Sequence, residues 1–171
     1  MKNLLLKYVT VFDVKDHDRM KEEVVSLLNG STQKTGPLMN SVSDWNNNNL
    51  NEQYQQIVNK YLLPYFDQYC TMINHERFKI DKQWFVDYKE GNVGTAWHGH
   101  ACQFSSVYYL HLDNAGDRTQ FRDTKVPFAE EGNLIIFPSF LVHRSPKVKG
   151  RKIIVSTNFN VDGSSHKPID L

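Results

Sequence analysis

The sequence predicts an α+β fold in which N-terminal helices pack against one sheet of a jelly roll. In two N-terminal segments the apolar residues recur every three or four positions, the period of an amphipathic helix. After about residue 78 the period falls to two, in short runs separated by Gly, Asp, Asn and Pro. Helices followed by many short strands are closed most economically as a sandwich or jelly roll, which leaves few edges exposed. The 171 residues suit one domain. Residues 1–77 supply an N-terminal strand and the supporting helices, and residues 78–162 form the jelly-roll core.

Each element has a local reason. Leu4 to Val14 is rich in β-branched and aromatic residues and reads as a strand, after which Asp16 is placed to cap a helix carrying Met20, Val24, Leu27 and Leu28 on one face. Gly30 ends that helix. The stretch "STQKTGPLMNSVSDWNNNN", residues 31–49, is polar and punctuated by turn formers, so it reads as a long surface loop with the character of a lid. From Leu50, the residues Tyr54, Ile57, Val58, Tyr61, Leu62, Tyr65 and Tyr69 line one face of a second helix with a bend at Pro64. The runs "KIDKQWFVDYKEG", "QFSSVYYLHL", "TQFRD", "NLIIFP" and "KIIVSTNFNV" then read as strands. No internal repeat or low-complexity tract interrupts them.

Composition narrows the function classes. Lys plus Arg (20) and Asp plus Glu (19) nearly cancel, and a net charge of +1 gives no broad field to attract nucleic acid. No apolar run reaches the roughly 18 residues of a membrane span, and "MKNLLLKYVTVFDVKD" lacks a long hydrophobic region and a small-residue cleavage site. Cys70 and Cys102 have no C-x-x-C spacing and build neither a disulfide scaffold nor a zinc site alone. These features predict a soluble protein of a reducing cytoplasm, with no nucleic-acid or membrane partner.

The chemistry is carried by histidine. In "WHGHACQFSSVYYLHL" the residues His98 and His100 are two apart, so an extended backbone projects both from one face and can bring two nitrogens to one metal ion. The candidate third ligand is His143 in "EEGNLIIFPSFLVHRSP", five residues after an apolar strand ends at Pro138. Imidazole suits Fe, Zn, Cu and Ni alike, and three facial ligands with open positions fit non-haem Fe(II). Taken alone, an H-x-H pair is more often a pair of ordinary surface or core residues, and it is the surrounding motifs that favour a metal site.

The motifs "YKEGNVGTAWHGH", "SSVYYL", "GNLIIFPSFLVHRSP" and "KIIVSTNFN", in this order over residues 84–160, resemble those of the Fe(II)/2-oxoglutarate-dependent oxygenases. The nearest pattern is that of bacterial and phage members with H-x-H, SGVYYL and FPS-x-x-x-H motifs, and the prolyl-hydroxylase-like enzymes are a more distant likeness. The resemblance implies a double-stranded β-helix with helices on one sheet. It also implies Fe(II) on His98, His100 and His143, with 2-oxoglutarate and O2 as co-substrates and succinate as a product of substrate oxidation, most simply a hydroxylation. The substrate itself, whether a small molecule, a peptide or a protein, is not legible. The family usually has Asp or Glu where this chain has His100, so either His100 replaces the carboxylate or it stands behind a site made by His98, His143 and water.

The resemblance extends to the co-substrate. Tyr88, ten residues before His98, and Tyr109 in "VYYL" are candidates to hydrogen-bond 2-oxoglutarate. Its far carboxylate needs a cation on the strand after His143, and the choice lies between Arg151 and Lys152 within the basic run "HRSPKVKGRK". Strand parity favours Lys152, which would share an inward face with Ile154, Ser156 and Asn158, while Ile153, Val155, Thr157 and Phe159 face the helices. The same parity puts Phe104, Tyr108, Leu110 and Leu112 on one face of the "SSVYYL" strand, and Ser105, Val107, Tyr109 and His111 on the other. Trp84 and Trp97 read first as packing residues. Two rival readings are a cupin-type metal dioxygenase or isomerase, with Gln103 standing where cupins commonly have Glu, and a non-catalytic jelly-roll binding protein.

Overall fold

The computed structural model describes residues 8–29, 41–45, 51–122, 124 and 128–164. Its elements, in chain order, are β1 (Thr10–Asp13), α1 (His17–Asn29), β2 (Ser41–Ser43), α2 (Asn51–Met72), β3 (His75–Tyr88), β4 (Phe104–Leu112), β5 (Gln120–Phe121), β6 (Asn133–Pro138), β7 (His143–Arg144) and β8 (Lys152–Ser164), with a 3₁₀ turn at Ala115–Asp117. Six strands form one antiparallel sheet in the order β1-β6-β4-β8-β3-β2. The strands β5 and β7 form a small second sheet.

The period-two pattern sorts the large sheet into two faces. Phe85, Tyr108, Leu110, Leu134, Ile136, Ile153, Val155 and Phe159 pack against Met20, Val24, Tyr54, Val58, Leu62 and Phe66 of the helices. The alternate residues Trp84, Val86, Tyr88, Val107, Ile135, Phe137 and Ile154 face the other way, toward Phe121, Leu141 and Val148 of the small sheet and its loops. Every second residue of β8 is therefore committed to the helix side, which leaves the residues between them for a cavity. This is the expected arrangement of helices on one sheet of a jelly roll.

Three details differ from the sequence reading. The polar loop of residues 31–49 contains the short edge strand β2, with Ser41 to Ser43 paired to Val86 to Tyr88. Residues 31–40 and 46–49 of that loop, together with Leu4 to Lys7 of the expected first strand and Gly30, lie outside the described residues. Asp16 adopts φ 57° and hands its carbonyl, rather than its side chain, to Met20 N–H at 3.1 Å. In β4 the register shifts between Tyr109 and His111. His111 leaves the cavity face for Asp113 (2.8 Å) and Glu131 (3.5 Å), and Leu112 packs in the cavity-side cluster instead. A bulge inserts one residue, and one residue reverses the parity of all that follow it.

Candidate metal centre

The three histidines meet where the loop after β3 crosses β7. His98 and His143 exchange backbone hydrogen bonds, N–H to carbonyl in both directions at 2.9 Å, and His100 N–H donates to the Ser139 carbonyl at 3.0 Å. The H-x-H pair is thus pinned on an extended loop by its neighbours, where the sequence suggests a regular strand. Two glycines permit this crossing. Gly94 has φ +78°, and a β-carbon there would lie 2.2 Å from the Ser145 carbonyl; at Gly99 one would lie 3.0 Å from the Ser139 carbonyl.

Two of the three rings are held in one tautomer. Nδ1 of His98 contacts the Ala96 carbonyl and Nδ1 of His143 the Leu141 carbonyl, each at 2.8 Å. A carbonyl oxygen only accepts, so both Nδ1 atoms carry a proton, and Nε2 is the nitrogen that each ring presents to a metal. Nε2 of His100 lies 3.3 Å from Nε2 of His143, and one ligand atom from each of the three rings lies within 4.8 Å of the others. Burial, reinforced by the mutual repulsion of the rings, holds His100 and His143 down at about 4. Three imidazoles with ring nitrogens converging on one point are a donor set that a borderline transition metal accepts, so these residues fit a bound iron. Gln103, the position of a cupin's added Glu, spends its Oε1 on Val161 N–H at 2.6 Å.

The same shifts set a pH dependence in the metal-free protein. Both folded-state values lie below the ordinary 6.5. Between pH 6.5 and about 4 the unfolded chain therefore binds more protons than the folded one, and stability falls as pH falls. Urea denaturation in the presence of a chelator should show a midpoint that drops across this window. A His100→Gln, His143→Gln double variant should show a flatter profile.

A cavity of about 440 Å³ opens from the histidines along the inward face of β8, where Ile154, Ser156 and Asn158 line it. Lys152 lies enclosed beside it at 0% exposure. Its ammonium donates to the Asp117 carbonyl at 2.9 Å and to Ser145 Oγ, and lies 4.5 Å from the centroid of the Tyr88 ring. Burial lowers it to about 7, against a smaller opposing pull from Asp117. Arg151 is turned away and forks onto Asp87, with Nε to Oδ1 at 3.1 Å and Nη2 to Oδ2 at 2.9 Å. Tyr88 lines the cavity, and burial pushes its phenol up to about 12. The Tyr109 hydroxyl accepts from Thr119 N–H at 3.0 Å, and it is Thr119 that contributes to the lining.

Trp84, which the sequence reading takes first as a packing residue, also lines the cavity, as do Trp45 and Arg144, which sequence reasoning did not single out. Trp84 meets Trp45 edge to face at 4.6 Å between ring centroids and lies 6.1 Å from the His100 ring. Its inward parity was readable from Val86 and Tyr88 two and four positions on. Trp45 falls in the polar loop, where no pattern marks it.

No protein-family model matches the chain, and no curated protein is similar to it. Solved structures are similar. The viral collagen prolyl hydroxylase of Paramecium bursaria Chlorella virus 1, in its 2-oxoglutarate complex, superposes with TM-score 0.61 at 18% identity, covering 89% of this chain and 95% of its own. HygX from Streptomyces hygroscopicus, with nickel and 2-oxoglutarate bound, gives 0.65 at 8% identity over 90% and 83% of the two chains. A prolyl hydroxylase of Trichoplax adhaerens, in complex with a peptide fragment of the hypoxia-inducible factor, gives 0.63 at 14% identity over 92% and 88%. The fold is therefore the double-stranded β-helix of the 2-oxoglutarate oxygenases, as the motif resemblance implies. None of the described helices is long and apolar enough to cross a membrane.

Proposed function

We propose that the protein is an Fe(II)- and 2-oxoglutarate-dependent dioxygenase, a hydroxylase, with iron held by His98, His100 and His143. The observation that carries this reading is the convergence of three histidine ring nitrogens at a cavity beside an enclosed ammonium. The structural likeness to HygX with nickel and 2-oxoglutarate bound, and to the prolyl hydroxylases, supports it. Bound iron would couple the oxidative decarboxylation of 2-oxoglutarate by O2, giving succinate and CO2, to insertion of one oxygen atom into the substrate.

The chain's own residues divide the remaining work. The Ala96 and Leu141 carbonyls orient two of the rings and fix which nitrogen is presented. Three neutral ligands leave the charge of a divalent ion uncompensated, which favours an anionic co-substrate. Lys152, with Ser145 and the Tyr88 ring around its ammonium, is the group for the far carboxylate, and Ser156 and Asn158 offer polar contacts along β8. Ile154 and Val107 keep this part of the cavity apolar, so the charge contact is little screened by water. The reading is tested by incubating the protein with Fe(II) and 2-oxoglutarate in air and following succinate. Release that requires both Fe(II) and His143 is the expected result.

His100 as a ligand makes a separate prediction. His100→Asp restores a coordinating group, whereas His100→Ala leaves a position open, so Asp should retain iron distinctly better in an Fe(II) titration. Equal affinity in the two variants would mean that His100 does not coordinate.

A further inference from the structure

Arg144 follows His143 on β7 and lines the same cavity. Its Nε donates to Gln120 Oε1 at 3.0 Å, and its guanidinium carbon lies 4.4 Å from the centroid of the Trp97 ring. A residue on the neighbouring strand and an aromatic face thus fix the plane of the cation, while the two Nη groups keep their donors. No carboxylate among the described residues pairs with it, and no Asp or Glu is among the described residues of the lining. The lining residue Trp45 also carries a cation on its ring, with Lys82 Nζ 3.3 Å from the ring centroid. Both indoles are partly open to solvent, at 36% for Trp97 and 38% for Trp45.

A cation held in plane beside a metal centre, without a counter-charge among the described residues, has an obvious chemical complement in an oxyanion. That oxyanion is not the far end of 2-oxoglutarate, which has Lys152. The two sites differ in access: Lys152 is closed off, whereas Arg144 is partly exposed and can meet a group arriving from solvent.

We propose that Arg144, oriented by Trp97 and Gln120, determines specificity for a primary substrate that carries an oxyanion, a carboxylate or a phosphate, near the atom to be oxidised. The proposal rests on the oxygenase reading for the reaction but not for the anion site. A substrate whose only charge is positive would find no counter-charge among the described residues of the lining.

The test compares benzoate, phenyl phosphate and the neutral benzamide as probes, titrated by calorimetry into metal-loaded protein saturated with 2-oxoglutarate. Saturation with 2-oxoglutarate keeps Lys152 occupied, so that it cannot serve the probe. At least one anion should bind roughly tenfold or more tighter than benzamide, the margin of one charge-assisted hydrogen bond. Which anion it is distinguishes carboxylate from phosphate. Arg144→Gln should remove the margin and Arg144→Lys should keep part of it. Equal binding of all three probes, or a margin that survives in Arg144→Gln, overturns the proposal. So does an Arg144→Gln variant that loses 2-oxoglutarate as severely as the probe, since Arg144 would then belong to the co-substrate. If 2-oxoglutarate fails to bind wild type while the anion margin is present, the oxygenase reading falls and the anion site stands.

Discussion

Replacing His98 or His143 with alanine is expected to abolish Fe(II) binding. Each ring is the sole bearer of one convergent lone pair, and each is presented by a backbone carbonyl that no other side chain can use in its place. Loss of an outer-shell partner alone weakens metal affinity roughly 10- to 100-fold, so loss of the ligand itself should exceed that range. The fold should survive both changes, because the backbone bonds between residues 98 and 143 do not involve the side chains. Circular dichroism alongside the iron titration separates the two effects. Unchanged iron stoichiometry in both variants would remove the site.

Lys152→Ala is expected to weaken 2-oxoglutarate binding by roughly 2–5 kcal/mol, the cost of losing a desolvated charge-assisted contact. Arg151→Ala should leave that affinity nearly intact. Its fork onto Asp87 is partly exposed, so its loss should instead lower stability by about 1 kcal/mol. The pair of variants thus separates binding from stability. A pH dependence follows from the burial of Lys152, whose folded value of about 7 lies below the ordinary 10.5. Below pH 7 the ammonium is already charged and ready for a carboxylate. Above it the bound complex must take up a proton, and affinity for 2-oxoglutarate should fall by up to about tenfold per pH unit. Lys152→Arg should flatten that profile. The reverse ranking of Lys152 and Arg151 would mean that the inward face of β8 has been assigned to the wrong residues.

The parts of the fold legible in the sequence are those governed by period. Alternation along β8 separates Ile153, Val155 and Phe159 on the helix side from Ile154, Ser156 and Asn158 on the cavity side, because strand parity is geometric and uninterrupted there. The same rule failed after Tyr109, where a bulge sends His111 out and Leu112 in; a bulge is a property of the pairing of two strands and leaves no mark in either one. The edge strand β2 was read as loop because Ser41 and Ser43 are polar and its pairing to β3 is made by backbone groups. In the site, the three histidines could be juxtaposed from spacing and motif order. Their tautomers could not, since Ala96 and Leu141 act through carbonyls that every residue possesses. Arg144 was hidden within a basic run whose other members gave no reason to single it out.

The most direct measurement is the visible spectrum of the anaerobic protein after addition of Fe(II) and then 2-oxoglutarate. A charge-transfer band should appear only when both are present, should be absent in His143→Ala, and should bleach on admission of air as succinate is formed. Metal uptake with no band and no succinate would contradict the account, since the three histidines would then hold a metal without presenting it to the co-substrate.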